Sequence, residues 1–167
     1  MRVLVIMLKE DDPSKCTAAK LVKFNLATPT KFVSRNTLVL NPFSETLLSK
    51  DDLKTFESIC VIDCSWNKVI HELKRNRRLS MSRHLSRRLP MLLAGNPTNY
   101  SKLGKLSSAE ALAGALYILG NKPLARQIMS KFRWGHTFLA LNSEPLEEYS
   151  KALSQKEIKE IEYSYFH

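Results

Sequence analysis

The chain has 167 residues, and its 26 Lys and Arg residues against 16 Asp and Glu residues give a formal net charge of +10. Hydrophobic residues make up 44% and charged residues 25%, a balance that lets a chain bury a core and excludes disorder as its main state. The longest apolar runs, such as residues 3–8, fall far short of the roughly 20 residues that span a bilayer. We therefore expect one domain or two small ones, and no membrane partner.

The apolar stretch at the N-terminus does not predict export. Residues 9–12 are all charged and end that stretch before a signal-peptide core or cleavage site can form, so we expect the protein in the cytoplasm. The three cysteines, Cys16, Cys60 and Cys64, are an odd number for a disulfide framework. We expect them to be buried free thiols.

The N-terminal half alternates strand and helix patterns. Short apolar runs rich in β-branched residues predict buried strands at residues 2–7, 37–41 and 60–63, with a fourth candidate at residues 89–94. Between them, the sequence predicts helices at residues 14–26, 50–56 and 67–76. This alternation is typical of βαβ units and predicts an α/β fold with a mainly parallel sheet.

The C-terminal half contains only helical patterns. Two capping boxes, Ser107 with Glu110 and Ser154 with Glu157, each precede an apolar periodic segment, and Gly120 is placed to end the first helix. Helices are predicted at residues 109–119, 123–132 and 158–165. We therefore expect an α/β domain at residues 1–90 and an all-helical domain at residues 91–167.

One short segment, residues 74–88, supplies most of the net positive charge. It contains seven bases and no acid: Lys74, Arg75, Arg77, Arg78, Arg83, Arg87 and Arg88. Like charges in a row repel one another, which favours a nucleic acid or another phosphate-rich partner over a solvated helix face. A membrane surface is a weaker alternative, because Leu79, Met81 and Leu85 form only a small apolar face.

Several site classes lack their motifs. None of the five glycines belongs to a dinucleotide-binding G-x-G-x-x-G or to a phosphate-binding P-loop, and no serine lies in a G-x-S-x-G turn. The four histidines are scattered, and the spacing of Cys60 and Cys64 matches no zinc motif. We expect no metal site.

Polar residues follow the predicted strands, where ligands bind in open α/β sheets. Asp63 is at the tip of the strand predicted at 60–63, and Trp66 follows three residues later. A helix-capping aspartate and a core tryptophan are an equally good interpretation. Irregular segments follow at residues 41–45 and 95–100, and residues 15–17 open a helix whose amides could bind an anionic carboxylate.

Four motifs together resemble a known family. They are Asp-Cys-Ser-Trp-Asn (63–67), Arg-Arg-Leu-Pro-Met-Leu-Leu-Ala-Gly-Asn-Pro-Thr-Asn-Tyr (87–100), Lys-Leu-Ser-Ser-Ala-Glu-Ala-Leu (105–112) and Phe-Arg-Trp-Gly-His-Thr-Phe-Leu (132–139). The chain, from residue 3 to about residue 149, is similar to the ribosomal RNA aminocarboxypropyltransferases. The resemblance implies an enzyme that transfers the 3-amino-3-carboxypropyl group of S-adenosylmethionine to a 1-methylpseudouridine of small-subunit ribosomal RNA. It also implies a SPOUT-like deep trefoil knot and a monomer.

The resemblance further implies which residues bind the donor. They are Thr17, Leu40, Pro42, Ile62, Leu89, Gly104 and Ser108. Thr17 would meet the aminocarboxypropyl end and the ribose, Leu40 and Pro42 would wall the adenine pocket, and Gly104 would offer a backbone group, as would Ile62 and Leu89. Relatives often carry Thr where this chain has Ser108, so the hydroxyl is kept. They often carry an aromatic residue where this chain has Gly104, so part of the pocket wall is missing here.

Two residues are implied beside the reacting carbon, Asp63 and Trp66. A pseudouridine ring nitrogen must lose its proton to attack carbon, and an ordinary Asp has a pKa near 3.9, roughly six units below such an imide. Asp63 would thus be a poor base unless burial raises its pKa. Trp66 could pack on the methionine moiety, with a cation–π attraction on the order of 0.5–2 kcal/mol.

The basic residues would bind small-subunit ribosomal RNA or a pre-ribosomal particle. Phosphate contacts are assigned to Arg75, Arg77, Arg78, Arg83, Arg87 and Arg88, extended by Lys131 and Arg133 from the helical half. Two alternatives remain open. One is a SPOUT-type RNA methyltransferase with the same donor, and the other is a non-catalytic assembly factor that binds ribosomal RNA.

Overall fold

The computed structural model describes residues 1–8, 16–63 and 85–167. The predicted helix at residues 67–76 lies outside these described residues. So do six residues with predicted roles or thiols: Cys64, Trp66, Arg75, Arg77, Arg78 and Arg83.

The described part of the chain forms a five-stranded sheet in the order β2-β1-β4-β3-β5, in which every neighbouring pair is parallel. The strands are β1 (Arg2–Met7), β2 (Thr28–Pro29), β3 (Thr37–Leu40), β4 (Ser58–Asp63) and β5 (Ser86–Arg87). The prediction of a mainly parallel sheet is confirmed, and so are the three strand predictions at β1, β3 and β4.

Successive side chains of the central strands point alternately into two apolar clusters, one on each face of the sheet. Val5 and Val61 point into the large core that the helices cover, whereas Ile6, Val39 and Cys60 form a small cluster on the opposite face. Because successive side chains of a strand point to opposite faces, continuous apolar runs are what a sheet buried on both faces requires. Cys60 is fully buried, and burial raises the pKa of its thiol to about 12.

Six α-helices lie in the described residues, together with a 3₁₀ helix at Lys50–Lys54. They are α1 (Thr17–Lys23), α2 (Ser108–Ile118), α3 (Lys122–Met129), α4 (Gly135–Leu141), α5 (Ser143–Lys151) and α6 (Gln155–Phe166). Among these, α6 is the longest at 12 residues, and no described helix is long and apolar enough to cross a membrane.

Capping explains which helices the sequence predicted. The Ser107 hydroxyl accepts the N–H of Glu110 at the start of α2, and the Ser154 hydroxyl accepts that of Glu157 at the start of α6. By contrast, α4 and α5 begin without a side-chain cap. These two helices were not predicted, because no capping signal marks their starts.

The predicted strand at residues 89–94 is wrong. β5 ends at Arg87, and residues 89–94 form only one isolated antiparallel bridge, between Leu93 and Leu103. Pro90 has no N–H to donate to a ladder. Side chains from the helical half and main-chain groups of residues 101–104 bond the backbone of this segment instead. The Asn142 side-chain amide, for example, accepts the Leu93 N–H at 2.7 Å and donates to the Leu93 carbonyl at 2.8 Å.

A single hydrophobic cluster joins the two halves of the chain. It extends from Val3 on β1 to Ile158 on α6 and includes Leu92 of the irregular segment and Leu112 and Leu116 of α2. The helical half therefore packs directly on the sheet, and a domain boundary near residue 90 stays a prediction.

Glu110 is the most heavily bonded buried acid among the described residues. Its side chain is fully buried on α2, and each of its oxygens accepts two hydrogen bonds. Oε1 accepts the backbone N–H groups of Gly95 and Asn96 at 2.7 and 2.9 Å. Oε2 accepts the Asn96 side-chain amide and the Ser107 N–H, both at 2.7 Å. Glu110 thus joins a helix start to the loop after residue 94.

We expect Glu110→Gln to lower the free energy of unfolding by about 2–4 kcal/mol. Either orientation of the glutamine amide would direct an NH₂ group at two N–H donors, so isosteric replacement cannot keep the four bonds. Urea denaturation measures the loss, with the exposed Glu45→Gln as the matched control. Equal effects of the two substitutions would contradict the role assigned to Glu110.

Candidate active site

A cavity of about 510 Å³ lies at the carboxyl edge of the sheet. The ends of β3 and β4 form its floor, and the first residues of α1 and α2 form one side. Residues 88–91, 96–99 and 103–107 complete the wall. This is the edge where open α/β sheets bind ligands, since loops diverge there and backbone groups face the opening.

The cavity brings together every donor-binding residue that the resemblance implied. Thr17, Leu40, Pro42, Ile62, Leu89, Gly104 and Ser108 all line it. Asp63 lines it as well, at the tip of β4. These residues come from both halves of the chain, so the pocket forms only when the helices pack on the sheet.

Glu162 of α6 holds the wall segment from outside the pocket. Its carboxylate is bidentate to the Arg88 guanidinium at 2.8 and 3.1 Å, and its Oε1 also accepts the Met91 N–H at 2.8 Å. The Tyr149 hydroxyl donates to the Met91 carbonyl at 3.3 Å. Burial, followed by the nearby Glu162 charge, raises the pKa of Tyr149 well above its ordinary value, so this hydroxyl stays a donor.

Thr17 links the starts of two helices that face the pocket. Its hydroxyl accepts the Ala109 N–H of α2 at 3.2 Å, while the Ser107 hydroxyl caps the next free N–H of the same helix at Glu110. The start of α2 is therefore satisfied partly from α1, across 92 residues of sequence. The Thr17 hydroxyl keeps its own proton for a further hydrogen bond.

Two glycines shape the wall. Gly104 has φ of +71°, a left-handed conformation that side chains rarely adopt, and its N–H donates to the Leu92 carbonyl at 2.9 Å. If the backbone of Gly104 contacts S-adenosylmethionine, as the resemblance implies, it must therefore do so through a group other than this N–H. Gly135 lies so close to α3 that a Cβ there would clash with the Met129 carbonyl oxygen. The neighbouring Trp134 lines the pocket.

Asp63 has a thiol partner inside the pocket. The Cys16 Sγ donates to Asp63 Oδ2 at 2.9 Å, and the same sulfur caps α1 by accepting the Ala19 N–H at 3.2 Å. Burial, and next the Asp63 hydrogen bond, raise the pKa of Cys16 to about 11. Cys16 is a buried free thiol, as predicted, and stays protonated at neutral pH.

Arg87 and Arg88 serve the fold. Arg87 Nε bonds buried Asp52 at 2.8 Å, and its guanidinium lies 5.2 Å from the Phe56 ring centre. Arg88 is paired with Glu162, and the two arginine side chains are only 13% and 23% exposed. Both were predicted to bind RNA phosphates. In this structure, their guanidinium groups form ion pairs with internal carboxylates instead.

Lys131 and Arg133 are exposed, on the connection between α3 and α4. The Lys131 ammonium lies 5.3 Å from the ring centre of Phe24, itself 44% exposed. Their predicted RNA contacts remain predictions.

Sequence reasoning missed several residues that build the site. Glu162 and Asn142 resemble ordinary surface residues in the sequence. Cys16 was predicted to be a buried thiol in a segment that opens a helix, but its side chain received no role. A position directly before a helix start was the available signal for Cys16, since a capping side chain there faces the same strand edge as Asp63. Trp134 was part of a quoted motif and received no role.

Comparisons with known proteins agree with this architecture. A family model described as "Ribosome biogenesis protein, C-terminal" matches residues 38–166. A protein of Methanosarcina mazei named 16S rRNA aminocarboxypropyltransferase is 48% identical over 158 residues, which cover 92% of this chain and 88% of the relative. A protein of the same name from Thermoplasma volcanium is 46% identical, with 98% of both chains covered.

The chain belongs to the 16S rRNA aminocarboxypropyltransferase family. A solved structure of the SAM-dependent rRNA:acp-transferase Tsr3 from Vulcanisaeta distributa is similar over 98% of this chain and 96% of that one, with a TM-score of 0.84 and 31% identity. The family resemblance stated from the sequence motifs is thus confirmed.

A shorter match covers residues 1–31 and is to a model described as a possible Fer4-like domain in RNase L inhibitor. Such iron–sulfur clusters are held by four cysteine thiolates. Residues 1–31 contain a single cysteine, Cys16, and therefore lack that ligand set. In the described ranges, no three His, Cys, Asp or Glu side chains cluster as metal ligands.

We expect Glu162→Gln and Arg88→Gln each to lower the free energy of unfolding by about 3 kcal/mol, because each leaves a poorly exposed charge without its partner. The double variant should lose about 1–3 kcal/mol less than the sum of the two single losses. Glu160→Gln is the control, since its pairing with Lys156 is long, at 3.9 Å, and exposed. Additive losses in urea denaturation would show that the pair does not act as a unit.

Proposed function

We propose that this protein transfers the 3-amino-3-carboxypropyl group of S-adenosylmethionine to a ring nitrogen of a pseudouridine, 1-methylated or not, in small-subunit ribosomal RNA during ribosome biogenesis. The observation that carries the proposal is the single cavity that collects all seven implied donor-binding residues and Asp63. The relatives named 16S rRNA aminocarboxypropyltransferase and the similar solved rRNA:acp-transferase support the reaction class.

The residues present fit the donor. The cavity volume of about 510 Å³ lies within the roughly 300–1,000 Å³ of small-molecule sites. Leu40 and Pro42 offer an apolar surface for an adenine, and the hydroxyls of Thr17 and Ser108 offer polar contacts for the amino acid end. The donor, when bound, supplies a sulfonium with three electrophilic carbons.

Group transfer requires a balanced exchange at nitrogen and sulfur. The ring nitrogen loses its proton and forms a bond to the methylene carbon, while the bond from that carbon to sulfur breaks and its electron pair stays on sulfur, leaving methylthioadenosine. Asp63 lies at the strand tip beside this cavity, where its carboxylate can orient the ring N–H and receive its proton or pass it to water.

Orientation selects the carbon that reacts. In-line attack requires the nucleophile opposite the bond that breaks, so the pocket must direct the methylene toward the RNA side and keep the methyl away from it. We assign this selection to the pocket walls and to Asp63. Trp66, outside the described residues, keeps its predicted place against the methionine moiety.

The remaining predictions belong to this proposal. We propose that the chain is a cytoplasmic monomer with a SPOUT-like trefoil knot and domains at residues 1–90 and 91–167. RNA phosphates would be held by the residues of the basic segment outside the described ranges, Arg75, Arg77, Arg78 and Arg83, and by Lys131 and Arg133. Since Arg87 and Arg88 are paired internally, we assign them no RNA contact.

A transfer assay tests the reaction directly. Small-subunit ribosomal RNA is incubated with the enzyme and with donor labelled either on its carboxyl carbon or on its methyl group, and the nucleosides are analysed by mass. We expect the carboxyl label to enter RNA and the methyl label to stay out. Methyl label in RNA would establish a methyltransferase, and neither label, with donor and RNA both bound, would favour an assembly factor.

We expect Asp63→Asn to lower kcat by about 10²–10⁴-fold, because the amide cannot accept the proton. RNA and donor binding should change little. Asp51→Asn is the matched control, since Asp51 is 57% exposed on the 3₁₀ helix and is paired with the exposed Lys54. Unchanged transfer by Asp63→Asn would remove the proton-handling role from this residue.

A further inference from the structure

The hydrogen bond that Cys16 donates to Asp63 is separate from the cap that the same sulfur provides for α1. It joins the residue before α1 to the last residue of β4 across 47 positions of sequence, and both residues line the donor cavity. Serine, aspartate and asparagine are the usual helix caps, and any of them could accept the Ala19 N–H. A thiol, like a serine hydroxyl and unlike an aspartate, can accept this N–H and also donate a proton to a carboxylate while it stays neutral.

The protonation state of the sulfur favours donation. Cys16 is 8% exposed, and its burial followed by the adjacent Asp63 carboxylate raises its pKa to about 11. A nucleophilic or redox-active cysteine needs the opposite, a lowered pKa and access to solvent. The thiol therefore stays an S–H donor at neutral pH and does not act as a nucleophile.

The sulfur is also fixed in place. It accepts the Ala19 N–H at 3.2 Å from the first turn of α1 while its own proton goes to Asp63 Oδ2. Because the sulfur is both an acceptor and a donor of hydrogen bonds here, its position is set by α1. In turn, α1 is joined to α2 through Thr17 and Ala109. The orientation of Asp63 is thereby tied to the helices that form the side of the pocket.

We infer that Cys16 is a positioning residue whose thiol holds Asp63 Oδ2 so that this carboxylate is directed at the nitrogen that attacks the donor. The inference rests on the proposed function and goes beyond it, because it assigns a role in the reaction to a residue that acts through Asp63. Its effect passes through Asp63 alone.

Three variants separate positioning from structural support. We expect Cys16→Ala to lower kcat for carboxyl-label transfer about 10- to 100-fold with the donor Kd unchanged, because a displaced carboxylate lowers the rate and not the affinity. Cys16→Ser, which keeps both a cap and a donor, should restore kcat to within about threefold of wild type. In an Asp63→Asn background, Cys16→Ala should add less than a twofold loss, since the residue through which it acts is already gone.

Asn121→Ala controls for the lost cap. Its side chain caps α3 by accepting the Leu124 N–H at 3.3 Å, so this variant removes an equivalent interaction outside the cavity lining. It should lower Tm about as much as Cys16→Ala and leave kcat unchanged. A loss of kcat in Asn121→Ala as large as that in Cys16→Ala would overturn the inference, as would an equal loss from Cys16→Ala with and without Asp63.

A second measurement applies if Cys16→Ala does not fold. The rate at which iodoacetamide alkylates Cys16 at mildly alkaline pH is followed by peptide mass analysis in wild type, Asp63→Asn and Asp51→Asn. Loss of the carboxylate should make the thiol more acidic and speed its alkylation in Asp63→Asn alone. An unchanged rate would show that the two side chains are not coupled and would overturn the inference.

The proposed function and the inference about Cys16 can be tested separately. If wild-type enzyme places carboxyl label in RNA and Cys16→Ala does so at the normal rate, the inference about Cys16 falls and the proposed function stands. If wild type places no carboxyl label in RNA, the proposed function falls and the inference falls with it.

Discussion

Three buried side chains from the helical half, together with main-chain groups of residues 46–48 and 101–104, bond the backbone of residues 88–96. The shape of the pocket depends on those hydrogen bonds. Glu110 from α2, Asn142 from between α4 and α5, and Glu162 from α6 each bond main-chain groups of this segment. Each such group would cost about 1–3 kcal/mol if it were buried without a partner. The segment can therefore leave the sheet after Arg87 and still cross the interior of the protein.

This arrangement makes the pocket a property of both halves of the chain. The sheet supplies Leu40 and Asp63 at its carboxyl edge, and the helices hold the opposite wall through the side chains that bond residues 88–96. Because Thr17 completes the start of α2 from α1, a shift of either helix changes the wall and the floor together. Donor binding should thus depend on packing between the halves as much as on the residues that line the cavity.

The sequence predicted the parts of the fold that carry local signals. Apolar runs marked β1, β3 and β4, and the Ser107 and Ser154 caps marked α2 and α6. The segment at 89–94 has the same apolar run as a strand, and only Pro90 argued against that interpretation. Its structure depends on hydrogen bonds from Glu110, Asn142 and Glu162, which are distant in the sequence. No local sequence pattern indicates these bonds. The seven donor-binding residues that the family motifs implied lie around one cavity, and their roles stay predictions. The motifs did not indicate the pairing of Asp63 with Cys16, nor the internal pairing of Arg87 and Arg88.

We propose that the pocket directs the methylene carbon of the donor, and not its methyl group, toward Asp63 and the RNA side. A crystal structure of the protein with S-adenosylmethionine bound would show which carbon faces that side. We expect the adenine to lie against Leu40 and Pro42, the methylene next to sulfur to be the donor carbon nearest the Asp63 carboxylate, and the methyl group to be turned into the protein. A methyl group facing Asp63, with the methylene buried, would contradict this proposal.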